Sequence, residues 1–256
     1  MDGLDISTEF LAVIVAVIIV LSTLAIFLLV KRRKRGNVIT LVGLCDAGKT
    51  LLFTRLVNGK YTRTFTSMTE TKFTYQINKV NLYIVTSTTS LHLTQSTSVE
   101  VVDIPGHERL RERMFNKYLD NLRGVVLVID SVNFIQDFRD VASMLYDILA
   151  NWRHKHVPLL IACNKQDLSL AKDCDYIKSE LEKEITLVRK SRLAGLQGME
   201  GGGTNKRVHL GKEGKDFEFS DLYPIKVEFM ECSGLGKSED SAGDIDNIKE
   251  WICTLN

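Results

Sequence analysis

The sequence lacks the cysteine pattern of a zinc site or of a disulfide framework. Its 5 cysteines are scattered over the chain, without the short spacing of metal ligands. Cysteines used in this way are typical of reduced thiols in the cytosol. Cys253 opens the last four residues, as in a prenylation motif, but the terminal Asn256 is not one of the residues that usually end that motif. We therefore expect no prenyl anchor.

The sequence also lacks an excess of charge of either sign. It has 33 Lys and Arg against 32 Asp and Glu, a formal net charge of +1 at pH 7. Proteins that bind DNA or RNA usually carry a basic surface that neutralises phosphates. Because no such footprint is present in the bulk charge, we expect no direct nucleic-acid partner.

Long apolar runs are scarce, and the exception covers residues 10–30, which carry no charge. A helix of that length, at about 1.5 Å per residue, crosses the hydrocarbon core of a bilayer, so we expect one N-terminal transmembrane helix. Residues 1–9 are acidic and residues 31–35 are all basic, unlike the flanks of a cleavable signal peptide. These flanks predict a lumenal N-terminus, a basic cytosolic linker over 31–36 and a cytosolic domain over 37–256.

Residues 43–50 fit the pattern GxxxxGK[ST] of a phosphate-binding loop and follow the apolar run Val38–Val42. In such a loop, backbone N–H groups surround the α- and β-phosphates of a nucleotide at the N-terminus of a helix. We expect Lys49 to bridge the β- and γ-phosphates and Thr50 to bind Mg²⁺. The predicted loop residues are Gly43, Leu44, Cys45, Asp46, Ala47, Gly48, Lys49 and Thr50.

Short apolar runs alternate with amphipathic stretches in the rest of the domain. Continuous apolar runs of this length are typical of strands buried on both faces of a parallel sheet. The alternation predicts an α/β fold, a mostly parallel sheet flanked by helices. The predicted strands are 99–102, 124–129, 158–163 and 225–230, and the predicted helices are 49–56, 108–119, 134–154, 174–189 and 244–255.

Four stretches interrupt this alternation. The Thr-rich residues 60–71 lack periodicity and predict a loop, whereas residues 73–84 alternate in polarity and predict a hairpin that turns near residues 78–79 or further on. Residues 86–98 are largely Ser and Thr, and we expect a mobile loop or insertion there. We expect a second mobile insertion over 190–220, because that stretch is rich in Gly and charge and poor in apolar residues.

Two residues after the predicted strand 99–102 suit a γ-phosphate and its metal ion. Asp103 would stand at the carboxyl end of the strand, where doubly wound sheets hold their ligands, and could bind Mg²⁺ through water. Gly106 would bring its backbone N–H to the γ-phosphate without a Cβ in the way. Turns use Asp and Gly widely, so the weight of this DxxG pattern depends on the other motifs.

Residues after two later strands suit a guanine base. The carboxylate of Asp167 can accept both donors on the N1 and exocyclic amine edge of guanine, whereas adenine offers the opposite pattern. Asn164 would brace the phosphate loop and the base, and the stem of Lys165 would cover the face of the ring. Cys232 and Ser233, after the last strand, would present backbone N–H groups to the guanine carbonyl.

The order of these motifs resembles that of the Ras-like small GTPase superfamily over residues 37–256. Residues 164–167 (NKQD) and 128–131 (VIDS) are most similar to the ADP-ribosylation-factor branch. The members of the superfamily that carry prenyl or myristoyl anchors have no N-terminal spanning helix, so a second resemblance has to account for residues 10–30.

A lumenal stub, a spanning helix, a basic stop and the sequence DIPGHE at 103–108 together resemble the family of signal recognition particle receptor beta subunits. Residues 43–50, 66–69 and 214–220 are also similar to that family, while the Ser/Thr-rich run 86–98 departs from its compact hairpin. The resemblance implies a P-loop small-GTPase fold, GTP or GDP with Mg²⁺ as cofactors, and a single-pass place in the endoplasmic reticulum membrane.

The same resemblance implies a partner and a function. The chain would form a heterodimer with the alpha subunit of the receptor and hold it at the membrane in a GTP-dependent way for cotranslational protein targeting. The ribosome and the translocon are further candidate partners. Within the cytosolic domain, a Thr or Ser of the loop 60–71 would complete the Mg²⁺ shell. We select Thr66, with Ser67 and Thr69 as alternatives.

The candidate catalytic residues differ from those of fast Ras-like enzymes. His107 stands where many Ras-like proteins carry a Gln that orients the attacking water, and an imidazole offers a different hydrogen-bond geometry. Cys45 stands where several fast relatives carry Gly. With His107 positioning water and Lys49 stabilising the phosphates, we expect hydrolysis that is slow or depends on a partner.

Two other functions fit the same residues. An ADP-ribosylation-factor-like enzyme would cycle by hydrolysis and recruit vesicle coats, and a membrane scaffold would keep a permanent, structural nucleotide. Nucleotide exchange distinguishes them, because a switch exchanges or hydrolyses its nucleotide and a scaffold does neither.

Overall fold

The computed structural model describes residues 15–23, 36–86, 89–152, 156–197, 210–212 and 214–255. The chain separates into two units, residues 1–35 and residues 36–256. In the first unit, residues 15–23 are helical. Among the described residues, none of the helices combines the length and the apolar character needed to cross a membrane. Most of the predicted span 10–30 lies outside the described residues, so the span remains a prediction.

The second unit is built on one six-stranded sheet with the strand order β2-β3-β1-β4-β5-β6. Only β2 and β3 pair antiparallel, and every other neighbouring pair is parallel. The strands are β1 (Val38–Val42), β2 (Thr71–Thr86), β3 (Thr89–Asp103), β4 (Leu122–Asp130), β5 (Leu159–Asn164) and β6 (Val227–Glu231). The mostly parallel α/β architecture predicted from the sequence is confirmed.

Five helices cover the two faces of this sheet. They are α1 (Lys49–Asn58), α2 (Glu108–Tyr118), α3 (Phe134–Trp152), α4 (Cys174–Gln197) and α5 (Asp246–Thr254). The buried side chains of α1 and α5 pack on one face, and those of α2, α3 and α4 pack on the other. Because both faces are covered, β1 and β5 are buried along their whole length, as continuous apolar runs require.

The Ser/Thr-rich stretch 86–98 is not the loop that we predicted. β3 begins at Thr89 and pairs with β2, with Thr86 opposite Thr89 and Gln76 opposite Ser98, although the register shifts between Val80 and Tyr83. The hairpin therefore turns beyond residue 86, and residues 87 and 88 lie outside the described residues. Thr suits a pleated strand because it is β-branched, and ladder bonds need only backbone groups. The low apolar content of this stretch therefore did not indicate that its backbone forms a strand.

The second predicted insertion, 190–220, is also partly ordered structure. Helix α4 continues to residue 197 rather than ending at Arg189, and Leu210 and Phe217 are buried in the core. The guanidinium of Arg189 donates to the carbonyl of Leu210 at 3.0 Å, which fixes the returning chain on α4. These contacts join residues far apart in sequence, so local composition does not indicate them. Residues 198–209 lie outside the described residues.

Candidate nucleotide-binding site

The predicted site residues lie at one edge of the sheet. β1, β3, β5 and β6 run in the same direction, so their carboxyl ends meet at that edge. The phosphate loop follows β1, Asp103 ends β3, Asn164 ends β5 and Cys232 follows β6. The structure thus gathers motifs that are separated by up to about 190 residues in the sequence.

Two glycines allow the loops at this edge to approach each other. Gly48 has a φ of 89°, and a Cβ there would lie 2.3 Å from the side-chain nitrogen of Asn164. A Cβ on Gly106 would lie 2.7 Å from the backbone nitrogen of Cys45. Since contacts this short are excluded for real side chains, both positions need glycine. The loop after β3 therefore closes directly over the phosphate loop.

Lys49 is the buried cation of the phosphate loop. Its side chain is 6% exposed, and its Nζ donates to the carbonyl of Leu44 at 2.5 Å. Burial lowers the pKa of Lys49, and the carboxylate of Asp103 opposes that effect. A buried ammonium is stabilised by a nearby anion, so a phosphate group in this loop would favour its charged form.

Thr50 and Asp103 form a cluster of oxygen atoms that fits a magnesium ion. The Thr50 hydroxyl donates to one carboxylate oxygen of Asp103 at 2.7 Å and lies 3.0 Å from the hydroxyl of Ser67. Asp103 is fully buried, and its other carboxylate oxygen, Oδ1, has no hydrogen-bond partner among the described residues. Burial raises the pKa of Asp103, although the Thr50 hydrogen bond and Lys49 oppose it. An unpaired buried oxygen beside a hydroxyl suits Mg²⁺, which prefers oxygen ligands.

A cavity of about 350 Å³ lies over this cluster. Thr66 and Ser67 both line it, so residues 60–71 do reach the predicted phosphate site. Ser67, which the sequence reasoning placed second to Thr66, is the residue whose hydroxyl contacts Thr50. Thr69 does not line the cavity. The cavity is lined by Cys45, Asp46, Gly48, Lys49, Thr50, Leu51, Thr64, Phe65, Thr66, Ser67 and Gly106.

His107 stands beside the cavity rather than in its wall. It is the residue that precedes α2, with an exposed side chain, and it does not line the cavity in the described part of the chain. Arg111, one turn into α2, donates to the carbonyl of Gly106 at 2.8 Å. Burial lowers the pKa of Arg111. Arg111 therefore ties the DxxG turn to α2, a role that the sequence did not reveal.

Asn164 links the loops of the candidate base site. Its amide nitrogen donates to the carbonyl of Ala47 at 2.8 Å, and its amide oxygen accepts from the N–H of Gly234 at 3.0 Å. The side chain is 2% exposed, so both bonds are shielded from water. Asn164 braces the phosphate loop, as predicted, and it also holds the loop that follows β6.

Lys165 has a partner that the sequence reasoning did not include in the site. Its Nζ lies 2.6 Å from a carboxylate oxygen of Asp130, the last residue of β4. Burial alone would raise the pKa of Asp130, but Lys165 and Asn133 outweigh it and hold that pKa below its usual range. The pair fixes the stem of Lys165 against the sheet edge, with the backbone of Lys165 at a φ of 70°.

Asp167 and Ser233 lie together at the outer end of the site. The Ser233 hydroxyl donates to Asp167 at 2.5 Å and accepts from the N–H of Gly236 at 2.8 Å. Ser233 is 3% exposed whereas Asp167 is exposed. One oxygen of Asp167 is thus held by the loop after β6, and its carboxylate faces solvent at the place expected for a base.

Sequence reasoning missed Arg55, which joins α1 to the loop after β6. Arg55 is 2% exposed, and its guanidinium donates to the carbonyls of Gly234 at 3.0 Å and Leu235 at 3.1 Å. The only local signal is an arginine on the otherwise apolar face of α1, since Leu52 and Leu56 are its buried neighbours.

A family model described as "Signal recognition particle receptor beta subunit" matches residues 34–226. The chain belongs to this family. It is 39% identical to signal recognition particle receptor subunit beta of Homo sapiens over 249 residues, which are 96% of this chain and 86% of the human protein. The predicted family resemblance is confirmed.

Two solved structures of signal recognition particle receptors share the fold. "The Structure of the Mammalian SRP Receptor" matches with a TM-score of 0.68 and 37% identity, covering 86% of this chain and 100% of that chain. "Signal recognition particle receptor SRb-GDP from Chaetomium thermophilum" matches with a TM-score of 0.60 and 25% identity, covering 88% of this chain and 100% of that chain. The small-GTPase fold predicted from the motifs is confirmed.

Proposed function

We propose that this receptor beta subunit is a membrane-anchored, GTP-binding protein that holds the receptor alpha subunit at the endoplasmic reticulum in a GTP-dependent way. The observation that carries the proposal is the convergence of Lys49, Thr50, Asp103, Asn164 and Asp167 at one sheet edge. A protein that bound only a partner would not need a buried lysine, an unpaired buried carboxylate oxygen and an outward-facing carboxylate at that edge.

The described residues fit GTP or GDP with Mg²⁺. Lys49 and the backbone of the loop 43–50 would hold the phosphates, while Thr50 and Asp103 would hold the metal ion. Ser67 or Thr66 would complete the metal shell in the triphosphate form. When bound, the γ-phosphate with its Mg²⁺ supplies a negative and a positive centre that order the two loops around it.

The base site fits guanine. Asp167 is oriented by Ser233 and would accept the two donors of the guanine edge, and Lys165 is fixed by Asp130 so that its stem can cover the ring. The solved relative from Chaetomium thermophilum is described with GDP, which agrees with this assignment. Cys232 and Ser233 would present their backbone to the guanine carbonyl.

The hydrolytic step is proposed to be slow. Among the described residues, His107 does not line the cavity, so its imidazole would have to move to position water, and Cys45 would add a side chain next to the phosphates. If a partner binds the ordered loops more tightly, then by linkage this chain binds GTP more tightly while the partner is bound. This property suits a long-lived receptor complex better than the rapid cycles of a vesicle-coat GTPase.

The anchor is proposed to be residues 10–30, with a lumenal N-terminus and a cytosolic GTPase domain. The support is the charge asymmetry around the apolar run, since the five basic residues lie only on its C-terminal side. In the sequence, residues 36 and 37 separate the basic cluster 31–35 from β1, so the linker between the anchor and the domain is short. The ribosome and the translocon remain candidate partners of the domain at the membrane surface.

Thr50→Asn tests the nucleotide dependence, because Asn cannot replace the hydroxyl that contacts Asp103. Purified receptor alpha subunit should bind the GTP-loaded wild type most tightly, and Thr50→Asn should lower that affinity about 5- to 150-fold. Thr54→Asn is the matched control, since Thr54 lies one turn further along α1 and does not line the cavity.

Membrane insertion of both variants should equal that of the wild type. If the alpha subunit bound equally well to the GTP-loaded, GDP-loaded and nucleotide-free protein, the switch would be refuted. A nucleotide that neither exchanged nor was hydrolysed would then favour the scaffold function.

A further inference from the structure

Within the described part of the chain, the sheet ends at β6, at the opposite side from the hairpin β2–β3. The N–H of Leu159 in β5 donates to the carbonyl of Lys226 at 2.8 Å, directly before β6. In a parallel pair, alternate residues bond to the same neighbour, so the even-numbered residues of β6 bond to β5. Val227, Phe229 and Glu231 therefore point their N–H and C=O groups outward, and no described residue bonds to them.

A cavity of about 490 Å³ lies beside this edge and has an apolar lining. The apolar lining comes from both faces of the strand: Phe229 of β6 packs with the core on one face, and Met230 of β6 and Trp251 of α5 pack with the core on the other. Trp251 is 2% exposed, and its indole nitrogen donates to the carboxylate of Glu228 at 3.1 Å. This part of the lining is thus fixed in position, so a guest would not have to order it. None of its lining residues belongs to the nucleotide cavity.

The rim of this cavity is acidic. Glu228, Glu231 and Glu250 line it, against Lys226 as the opposing cation. Lys226 is neutralised by Glu228 at 2.9 Å. Glu231 accepts the backbone N–H of Cys174 at 3.2 Å, and Glu250 is exposed. Among the described residues, neither carboxylate has a cationic side chain as partner, and a basic guest would complement them.

We propose that the free edge of β6 is a docking site for an extended, basic peptide segment of a partner protein. The segment would add a seventh strand to the sheet by bonding to the backbone of Val227, Phe229 and Glu231. In such β-augmentation the backbone bonds give affinity, and alternate side chains give specificity. Because side chains alternate between the two faces of a strand, apolar side chains of the guest would contact Phe229 on one face, and its Lys or Arg side chains would reach Glu250 on the other.

A second copy of this chain is a poor guest for the same edge. Pairing two β6 strands would bring the acidic rims of both copies together, and like charges across neighbouring strands are destabilising. The strand β6 is short and carries Glu228 and Glu231, and charged side chains on a short edge strand also oppose pairing with a like strand. A basic partner would not meet this repulsion.

The test uses the full chain, ¹⁵N-labelled and loaded with GDP in detergent micelles. The probe is a short peptide that alternates Lys and Val. The amide protons of Val227, Phe229 and Glu231 should exchange with solvent more slowly when the peptide binds, on the order of tenfold. The amides of Glu228 and Met230 should change little, because β5 already bonds them.

Three controls make the result specific. A peptide with Glu in place of Lys should not bind, and a peptide methylated on alternate backbone nitrogens should bind without protecting the three amides or not at all. Glu250→Lys should weaken the Lys/Val peptide about fivefold, whereas Glu239→Lys, an equal charge change outside the cavity lining, should not.

The proposal is overturned if the Glu peptide binds as well as the Lys peptide, or if binding leaves the three amides unprotected. Protection that grows with protein concentration in the absence of peptide would also overturn it, because the guest would then be a second copy. Nucleotide affinity, measured on the same samples, should be the same for both variants and the wild type, which separates this result from a failure of the nucleotide site.

Discussion

Arg55→Met is expected to disconnect α1 from the loop after β6. Arg55 is 2% exposed, so its guanidinium, which is always protonated, is held by protein groups in place of water. It donates to Gly234 at 3.0 Å, to Leu235 at 3.1 Å and, more weakly, to Gly59 at 3.4 Å. Met keeps much of the apolar volume but donates no hydrogen bond, so these carbonyls lose their partner.

Two charge-assisted hydrogen bonds of about 1.5–3 kcal/mol each set the scale of the loss. Because water will enter partly, we expect a decrease of about 3–4 kcal/mol in the free energy of unfolding. The loop carries Ser233, which orients Asp167, so GDP affinity should fall as well, by about tenfold or more. Arg55→Met should reduce the affinity for GDP by a larger factor than the affinity of the nucleotide-free protein for the alpha subunit.

Urea denaturation, monitored by circular dichroism, measures the free energy of unfolding. The midpoints can be compared if the dependence of that free energy on urea concentration is the same in both proteins. Equilibrium titration with a fluorescent GDP analogue measures the affinity for GDP. Arg139→Met is the control, since Arg139 is exposed on α3, and it should change stability by less than about 0.5 kcal/mol. Equal unfolding midpoints for Arg55→Met and Arg139→Met would refute the reasoning.

Three further predictions concern the base, the pH dependence and the topology. Asp167→Asn replaces an acceptor by a donor, which should weaken GTP by about 1–3 kcal/mol and favour xanthosine triphosphate; unchanged GTP affinity in a competition titration would exclude Asp167 as the base reader. The pKa of Asp130 is held low in the folded state, so its contribution to stability is present above the ordinary Asp pKa and is lost as the pH falls through the folded value. In Asp130→Asn, the free energy of unfolding should therefore fall less steeply at acid pH than in the wild type. The same acid dependence in both proteins would contradict this. Protease added to intact microsomes should digest the domain from residue 36 onward, and a protected domain would reverse the orientation.

The sequence by itself determined the order of the motifs and therefore the fold class. The pattern 43–50 specifies a strand, a turn and a helix within a few residues, and Asp103 and Asn164 each stand at the end of an apolar run typical of a buried strand. Parallel strands place such residues at one edge without further information. That the candidate phosphate and base residues lie at one edge of the sheet was predictable for this reason.

Tertiary structure alone decided the contacts between those motifs. Arg55 and Gly234 are 179 residues apart in the chain, and no local pattern indicates that a buried arginine of α1 bonds to that loop. Ser67 rather than Thr66 contacts Thr50 because the path of the loop 60–71, which has no periodicity, selects the hydroxyl. The strand over 89–98 depends on backbone pairing with β2. Local sequence encodes periodicity and turn chemistry, whereas these choices are made by packing between distant segments.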